Sequence, residues 1–219
     1  GTNLMERIAA EYRVAFRRTP VGFKHIARLM RTEEVLFGGE ESGGFGFRGC
    51  VPERDGLLAG LLILEMMAMR RKNLRSVLAD LRGRFGHWFF QRGDLELARP
   101  IDPKKLLKWA KTEAPGTRMV PGASDLPLIC EVQTLDGVKL ILKDRSWLLM
   151  RPSGTEPLLR IYAEARSPKA VQALVRAGQR VGHQLIENQR GSDPFWNRWK
   201  GAQVRGLTPD ERRIAYVAA

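Results

Sequence analysis

The run Arg151-Pro152-Ser153-Gly154-Thr155-Glu156-Pro157 gathers the groups that hold an oxyanion. Arg151 offers a planar fork of donors that matches two oxygens of a phosphate. Ser153 and Thr155 add hydroxyl donors, and Gly154 lets backbone amides approach and point at an anion. Arg160, on the segment that follows, can reach back toward the same place. Pro-Ser-Gly is also good turn chemistry, so these residues would equally serve as a plain connection between strands. Arginines on both sides of small donors are nevertheless more than a turn requires.

A second loop carries the opposite charge. Gly38-Gly39-Glu40-Glu41-Ser42-Gly43-Gly44 places carboxylates beside a hydroxyl among glycines. Sugar hydroxyls are donors that need acceptors; Glu40 and Glu41 are acceptors, and Ser42 is both donor and acceptor; the alternative is a mobile surface loop. In Pro52-Glu53-Arg54-Asp55-Gly56, Asp55 reads as the cap of the apolar run behind it. That leaves Arg54 as a cation near a helix start, free to meet a ligand phosphate or hydroxyl. In Thr19-Pro20-Val21-Gly22-Phe23-Lys24-His25, Gly22 lets the backbone come close to a ligand and Lys24 supplies a further cation, while His25 reads as structural. Gly44-Phe45-Gly46-Phe47-Arg48-Gly49 spells GxGxxG. A dinucleotide site needs that motif to open a helix at once, with an acidic residue at the end of the next strand. Pro52 interrupts here and Glu65 falls inside a helix, so that reading is set aside.

These loops hang on two kinds of pattern. Leu4, Ile8 and Tyr12 recur at helical spacing, and Arg13–Phe16 reads as a strand. Phe23, Ile26, Ala27 and Met30 stripe a second helix, and Glu34–Phe37 is a strand entering the glycine loop. Helices over Asp55–Met69 and Asn73–Arg82 follow. This order is that of an α/β unit with a mixed sheet. Its first strand is not visible, so the unit is expected to be incomplete at its N-terminus. Residues 83–101, with Arg92-Gly93-Asp94 and Arg99-Pro100, read as a linker. A short helix starts at Asp102-Pro103 and ends at Ala114-Pro115-Gly116. Then come strands Leu128–Thr134, Val138–Leu142, Trp147–Met150 and Leu158–Glu164, the first two joined by the hairpin signal Asp136-Gly137. Ser167-Pro168 opens a long amphipathic helix. This second grammar is a small α+β domain, an antiparallel sheet packed by helices. The expected division is 1–93, 94–190 and a basic tail, 191–219, containing Trp196, Arg198, Trp199 and Lys200.

The chain has 219 residues, 43% of them hydrophobic and 28% charged, enough for real cores in two small domains. No apolar run is long enough to span a membrane, and no secretory signal opens the sequence, which starts with Gly1 as a processed or truncated product would. Cys50 and Cys130 do not suggest a disulfide framework, and a reducing, cytoplasmic setting is expected. The spacing of His25, His87 and His183 does not suggest a metal site. A net charge of +13 suits either a polyanion or small phosphorylated ligands. The charge alone favours neither, with the basic residues dispersed rather than packed into one tract; nucleic acid is not the expected partner, while a basic polyanion-binding module or a non-catalytic sugar-phosphate-binding protein stays as the alternative reading.

Taken together, these segments resemble the α-D-phosphohexomutases, the phosphoglucomutase/phosphomannomutase family. TPVGFKHIARLM at 19–30, GGEESGG at 38–44 and PERDGLLAGLLILEMMA at 52–68 are similar to its third domain. LDGVKLIL at 135–142 and RPSGTEPLLRIYAEA at 151–165 are similar to its fourth. The resemblance implies that Glu40 and Ser42 hydrogen-bond sugar hydroxyls, with Gly22 and Arg54 lining the same site. It implies that Arg151, Ser153, Gly154, Thr155 and Arg160 grip the phosphate that is not being transferred. The family interconverts hexose 1-phosphate and hexose 6-phosphate through a bisphosphate such as glucose 1,6-bisphosphate. It uses a phosphoserine in the first domain and an Mg2+-holding aspartate loop in the second. No TxSHNP-like or DGDGDR-like segment occurs in this chain, so the resemblance implies a binding half, of phosphoglucomutase-type parentage. It would be inactive without N-terminal mutase domains or a separate chain that carries them. The tail has no counterpart in the resemblance.

Overall fold

The elements follow from local signals that the side chains complete. A computed structural model describes residues 2–98, 100–112, 125–187 and 213–218. They fall into two compact units, Gly1–His87 together with Gly206–Ala219, and Trp88–Arg205. The first run of elements is α1 (Asn3–Glu11), β1 (Ala15–Arg18), α2 (Phe23–Thr32), β2 (Glu34–Gly39), β3 (Phe45–Phe47), α3 (Gly56–Arg70) and α4 (Leu74–Phe85). The second is β4 (Phe89–Glu96), α5 (Pro103–Thr112), β5 (Ile129–Gln133), β6 (Val138–Leu142), β7 (Trp147–Pro152), β8 (Leu158–Ala165) and α6 (Pro168–Glu187), and β9 (Arg213–Ala218) comes last.

In the first unit α1, α3 and α4 begin where short polar side chains can take up orphan amides. Thr2 Oγ1 accepts from the Leu4 amide at 3.1 Å, Asp55 Oδ1 from Leu58 at 2.8 Å and Asn73 Oδ1 from Ser76 at 2.9 Å. The sheet is mixed, in the order β1-β9-β2-β3, with β9 parallel to both neighbours and β3 antiparallel to β2. α2 crosses from β1 to β2 and buries Phe23, Ile26 and Ala27 against Val35. It lies close to the β2–β3 hairpin because two positions there have no side chain. A Cβ at Gly38 would run into Ile26, and one at Gly46 would come within 2.9 Å of Met30 Sδ and Phe23 Cζ. Of the GxGxxG string, Gly46 therefore serves hairpin packing, and it sits within β3 rather than opening a helix.

The second unit holds the larger core. Its antiparallel sheet runs β4-β8-β7-β6-β5. Alternate residues of β6, β7 and β8 (Val138, Leu140, Leu142, Leu148, Met150, Leu159, Ile161, Ala163) point to one face and pack against α6 through Val171, Leu174, Val175 and Val181. α5 adds Leu106 and Ala110 to the same core. On the other face Ile141, Trp147 and Tyr162 form a smaller cluster.

Three sequence expectations change. Residues 89–96 are not linker but the edge strand β4, paired with β8 along its whole length. Its Gly93 looked like a turn residue, yet a Cβ there would sit 2.6 Å from Val175 Cγ1, so the glycine marks the close approach of α6. The strand expected at 13–16 begins two residues later, since Arg13 turns the chain with φ 54°. The end of the expected tail is a sheet strand, β9, between β1 and β2. Trp196, Arg198, Trp199 and Lys200, and the helix stop at 114–116, lie outside the described residues.

Candidate functional site

Two groups of candidate side chains lie one in each unit. In the first unit β2 and β3 hold the loop that contains Glu40. The Glu40 amide donates to the Gly44 carbonyl at 2.9 Å and the Gly43 amide to the Glu40 carbonyl at 3.1 Å, closing a tight turn. Gly43 takes φ 90°, which glycine allows without strain. The Glu40 side chain is only 7% exposed, and its nearest cation is Arg54 Nη1, 3.9 Å from Oε2. A buried carboxylate loses its water, and that cost is recovered only by donors. Among the described residues no hydrogen bond is made to the Glu40 carboxylate. It therefore retains acceptor capacity, which the hydroxyls of a polyol would fill.

Arg54 is set in place from three sides. Its guanidinium lies over the Phe23 ring at 5.7 Å, and its Nε is 3.2 Å from Glu53 Oε1. The Arg54 amide also donates to Glu53 Oε1 at 2.8 Å. That backbone hydrogen bond is the main reason the Glu53 carboxyl is held below the ordinary carboxylate range. Gly44 makes the arrangement possible, because a Cβ there would overlap Arg54 Cδ, lie 2.8 Å from its Cγ and lie 3.2 Å from Glu40 Oε2. Gly22, with φ 120°, is the N-cap of α2 and directly precedes Phe23. Lys24 and Ser42 are exposed. Among the described residues neither makes a hydrogen bond or ion pair with Glu40 or Arg54. The structure thus joins Phe23, Glu40 and Arg54, places Gly22 at the start of α2 next to Phe23, and leaves Lys24 and Ser42 at the surface.

In the second unit Arg151 and Pro152 end β7, and residues 153–157 join it to β8. Arg151 and Arg160 are direct cross-strand partners. Like charges in that position repel, at a cost of about 0.2–1 kcal/mol that an anion between them removes. Arg151 Nε donates to Asp136 Oδ1 at 3.0 Å. Arg160 Nη2 stands 3.9 Å from Glu156 Oε2, and its Nε is buried without a hydrogen-bond partner. The Ser153 amide donates to the Leu158 carbonyl at 2.8 Å, which pins the start of the turn. The Ser153 side chain is buried, with its Oγ 3.5 Å from the Thr155 amide, whereas Gly154 and Thr155 are exposed. The region thus gathers a guanidinium with a buried, unpartnered Nε, a second guanidinium across the ladder and a hydroxyl-bearing turn, donor types that suit an oxyanion.

The sequence reading did not pick out Phe23, Gly44 or Asp136 as site residues. Phe23 read as helix core and Asp136 as turn chemistry. The available signal was register: a hairpin at Asp136-Gly137 puts its turn beside the end of the next strand, where Arg151 lies.

Residues 1–85 match the profile described as Phosphoglucomutase/phosphomannomutase, alpha/beta/alpha domain III, and residues 106–177 match that of the C-terminal domain of the same proteins. The chain belongs to the phosphoglucomutase/phosphomannomutase family. Similar family members include a phosphoglucosamine/phosphogalactosamine mutase of Sulfurisphaera tokodaii, 31% identical over 83% of this chain and 36% of that protein. A phosphoglucomutase/phosphomannomutase of Thermococcus kodakarensis is 29% identical over 85% of this chain and 37% of its own. A crystal structure of a Thermus thermophilus protein, assigned as a phosphomannomutase, superposes with a TM-score of 0.62 at 32% identity, over 83% of this chain and 34% of that one. The chain thus spans about a third of the length of the curated family relatives it matches, 36% and 37% in the two named. Among the described residues no helix is long and apolar enough to cross a membrane. Nor, among the described residues, does any group of three or more His, Cys, Asp or Glu side chains stand where it could hold a metal ion.

Proposed function

We propose that this chain is the ligand-binding half of a phosphohexomutase: it holds a hexose phosphate and leaves phosphoryl transfer to groups supplied from elsewhere. The single observation that carries this reading is the pair Arg151 and Arg160, opposite each other on β7 and β8 with an unpartnered buried Nε, beside the Ser153–Thr155 turn. That arrangement leaves cationic donors to be satisfied, and a phosphate dianion satisfies several at once. The same logic supports Glu40 and Arg54 as the group that takes sugar hydroxyls, since Glu40 is buried with unused acceptor capacity. Gly22 contributes the turn that begins α2, and Lys24 and Ser42 offer exposed polar groups that a bound ligand would recruit.

In this reading the partner is a hexose phosphate, with glucose 1,6-bisphosphate as the bisphosphorylated intermediate. The phosphoserine and Mg2+ loops belong to mutase domains or to a second chain that completes the site. Cytoplasmic residence accords with Cys50 and Cys130, both free thiols at the surface. By itself the chain has no mutase activity, because phosphoryl transfer depends on a positioned metal and nucleophile.

The test is calorimetric titration of the chain with glucose 1,6-bisphosphate, beside an Arg151→Ala variant and a coupled assay for glucose 6-phosphate formation. Saturable binding that is weakened but still measurable in the variant, with no turnover by the chain alone, is the expected result. Turnover by the isolated chain, or binding unaffected in Arg151→Ala, would overturn the proposal.

A further inference from the structure

The β5–β6 turn lies outside the loop that gathers the anion donors, yet it is built against Arg151. β6 pairs with β7 in a register that brings Val138 opposite Met150, so Asp136 and Gly137 stand beside the next residue of β7, Arg151. Asp136 Oδ1 accepts from Arg151 Nε at 3.0 Å, and the two side chains are 11% and 20% exposed. Gly137 has φ 88°, and a Cβ there would overlap the Met150 carbonyl oxygen and lie 3.1 Å from Arg151 Cα and Cβ. The turn is therefore pressed onto the backbone of the arginine it contacts. No side chain other than hydrogen fits between them.

A guanidinium has a fixed donor geometry: when Nε–H is held by one acceptor, the plane and direction of the two Nη groups are set. Asp136 holds that inner edge. The outer Nη donors stay available for a ligand, and Arg151 cannot turn away from Arg160 to relieve their repulsion. We propose that Asp136 is the positioning residue of the phosphate site: it fixes Arg151 in the orientation that accepts a phosphate, and the β5–β6 turn is thereby part of that site. This rests on the reading of Arg151 as a phosphate ligand. It makes a prediction of sign that a simple charge argument reverses. Were Asp136 merely a competing anion, its removal would tighten phosphate binding; as a positioning residue, its removal weakens it.

The experiment uses the full chain and glucose 1,6-bisphosphate as the probe, with Asp136→Ser, Arg151→Ala and the double variant. Serine keeps a turn-forming side chain and removes the charge. Asp136→Ser is expected to lower affinity about tenfold, and to have no further effect in the Arg151→Ala background, since a residue that acts only through Arg151 has nothing left to position. Unchanged or tighter binding in Asp136→Ser, or the same loss in both backgrounds, overturns the inference. A second readout needs no ligand: the Arg151 Nε–H proton should give a slowly exchanging nitrogen-15 NMR signal that broadens in Asp136→Ser. If the wild-type chain binds no bisphosphate, the phosphate reading fails. The Nε–H signal then decides the orientation by itself, and a signal identical in both proteins sinks the positioning role.

Discussion

Replacing Gly137 with alanine tests whether the β5–β6 turn is as tightly set as its geometry indicates. Gly137 has φ 88°, where an L side chain is strained by roughly 1–2 kcal/mol. The added methyl also meets backbone, the Met150 carbonyl and Arg151 Cα, which cannot rotate away as a side-chain tip would. Such overpacking costs a further 1–3 kcal/mol or so. Together these give a loss of about 3 kcal/mol for the second unit. With a urea dependence of roughly 1–3 kcal/mol per molar, the unfolding midpoint should fall by about 1.5 M. Tryptophan fluorescence is the right probe, because the tryptophans among the described residues, Trp88, Trp109 and Trp147, all belong to the second unit. Gly60→Ala is the matched control. It lies in α3 with nothing within 4 Å of a built Cβ, so alanine should leave the fluorescence transition unmoved and raise helix stability by about 0.5–1 kcal/mol. A loss below about 1 kcal/mol in Gly137→Ala would show that the turn yields easily, and the clamp on Arg151 would lose its basis.

Gly44→Ala should separate binding from folding. The new methyl displaces Arg54, which is half-exposed and free to swing into solvent, so the melting curve should hardly move while calorimetric affinity for glucose 1,6-bisphosphate drops several-fold. Glu164→Ala should act the other way. It removes the acceptor of Trp147 Nε1, a buried hydrogen bond of 2.8 Å, and leaves that donor unsatisfied. Chemical denaturation should show a loss of about 1–3 kcal/mol, with near-ultraviolet circular dichroism of Trp147 changed in the folded protein.

Much of this architecture is legible in the residues because local chemistry and tertiary structure agree. Asp55 and Asn73 cap the helices they precede, and Val138, Leu140 and Leu142 point to the core as their alternation implies. What escaped the reading has a common physical origin: glycines whose purpose is another element's approach. Gly93 resembles a turn until Val175 is known to lie over it, and Gly46 resembles a nucleotide fingerprint until Met30 and Phe23 are known to fill its place. The candidate site divides in the same way. Donor and acceptor types are visible in Arg151, Arg160, Glu40 and Arg54. Their supports, Asp136 and Phe23, act through partners 15 residues off in the case of Asp136 and on another element in that of Phe23, where no periodicity points. β9 was missed because its neighbours in the sheet are far away in sequence.

That separation sets the order in which the protein can be made. Ala15 of β1 lies beside Ile214 of β9, a separation of about 200 residues, and contacts so distant are slow to form. Among the described residues β1 has no other strand partner, so it keeps its hydrogen-bonding edges open until residues 213–218 are available to pair with it. The second unit, continuous from Trp88 to Arg205, can fold as it emerges. Of these two units the first therefore closes later, and it passes through a stage with unpaired strand edges at which a chaperone, or a neighbouring nascent chain, can intervene.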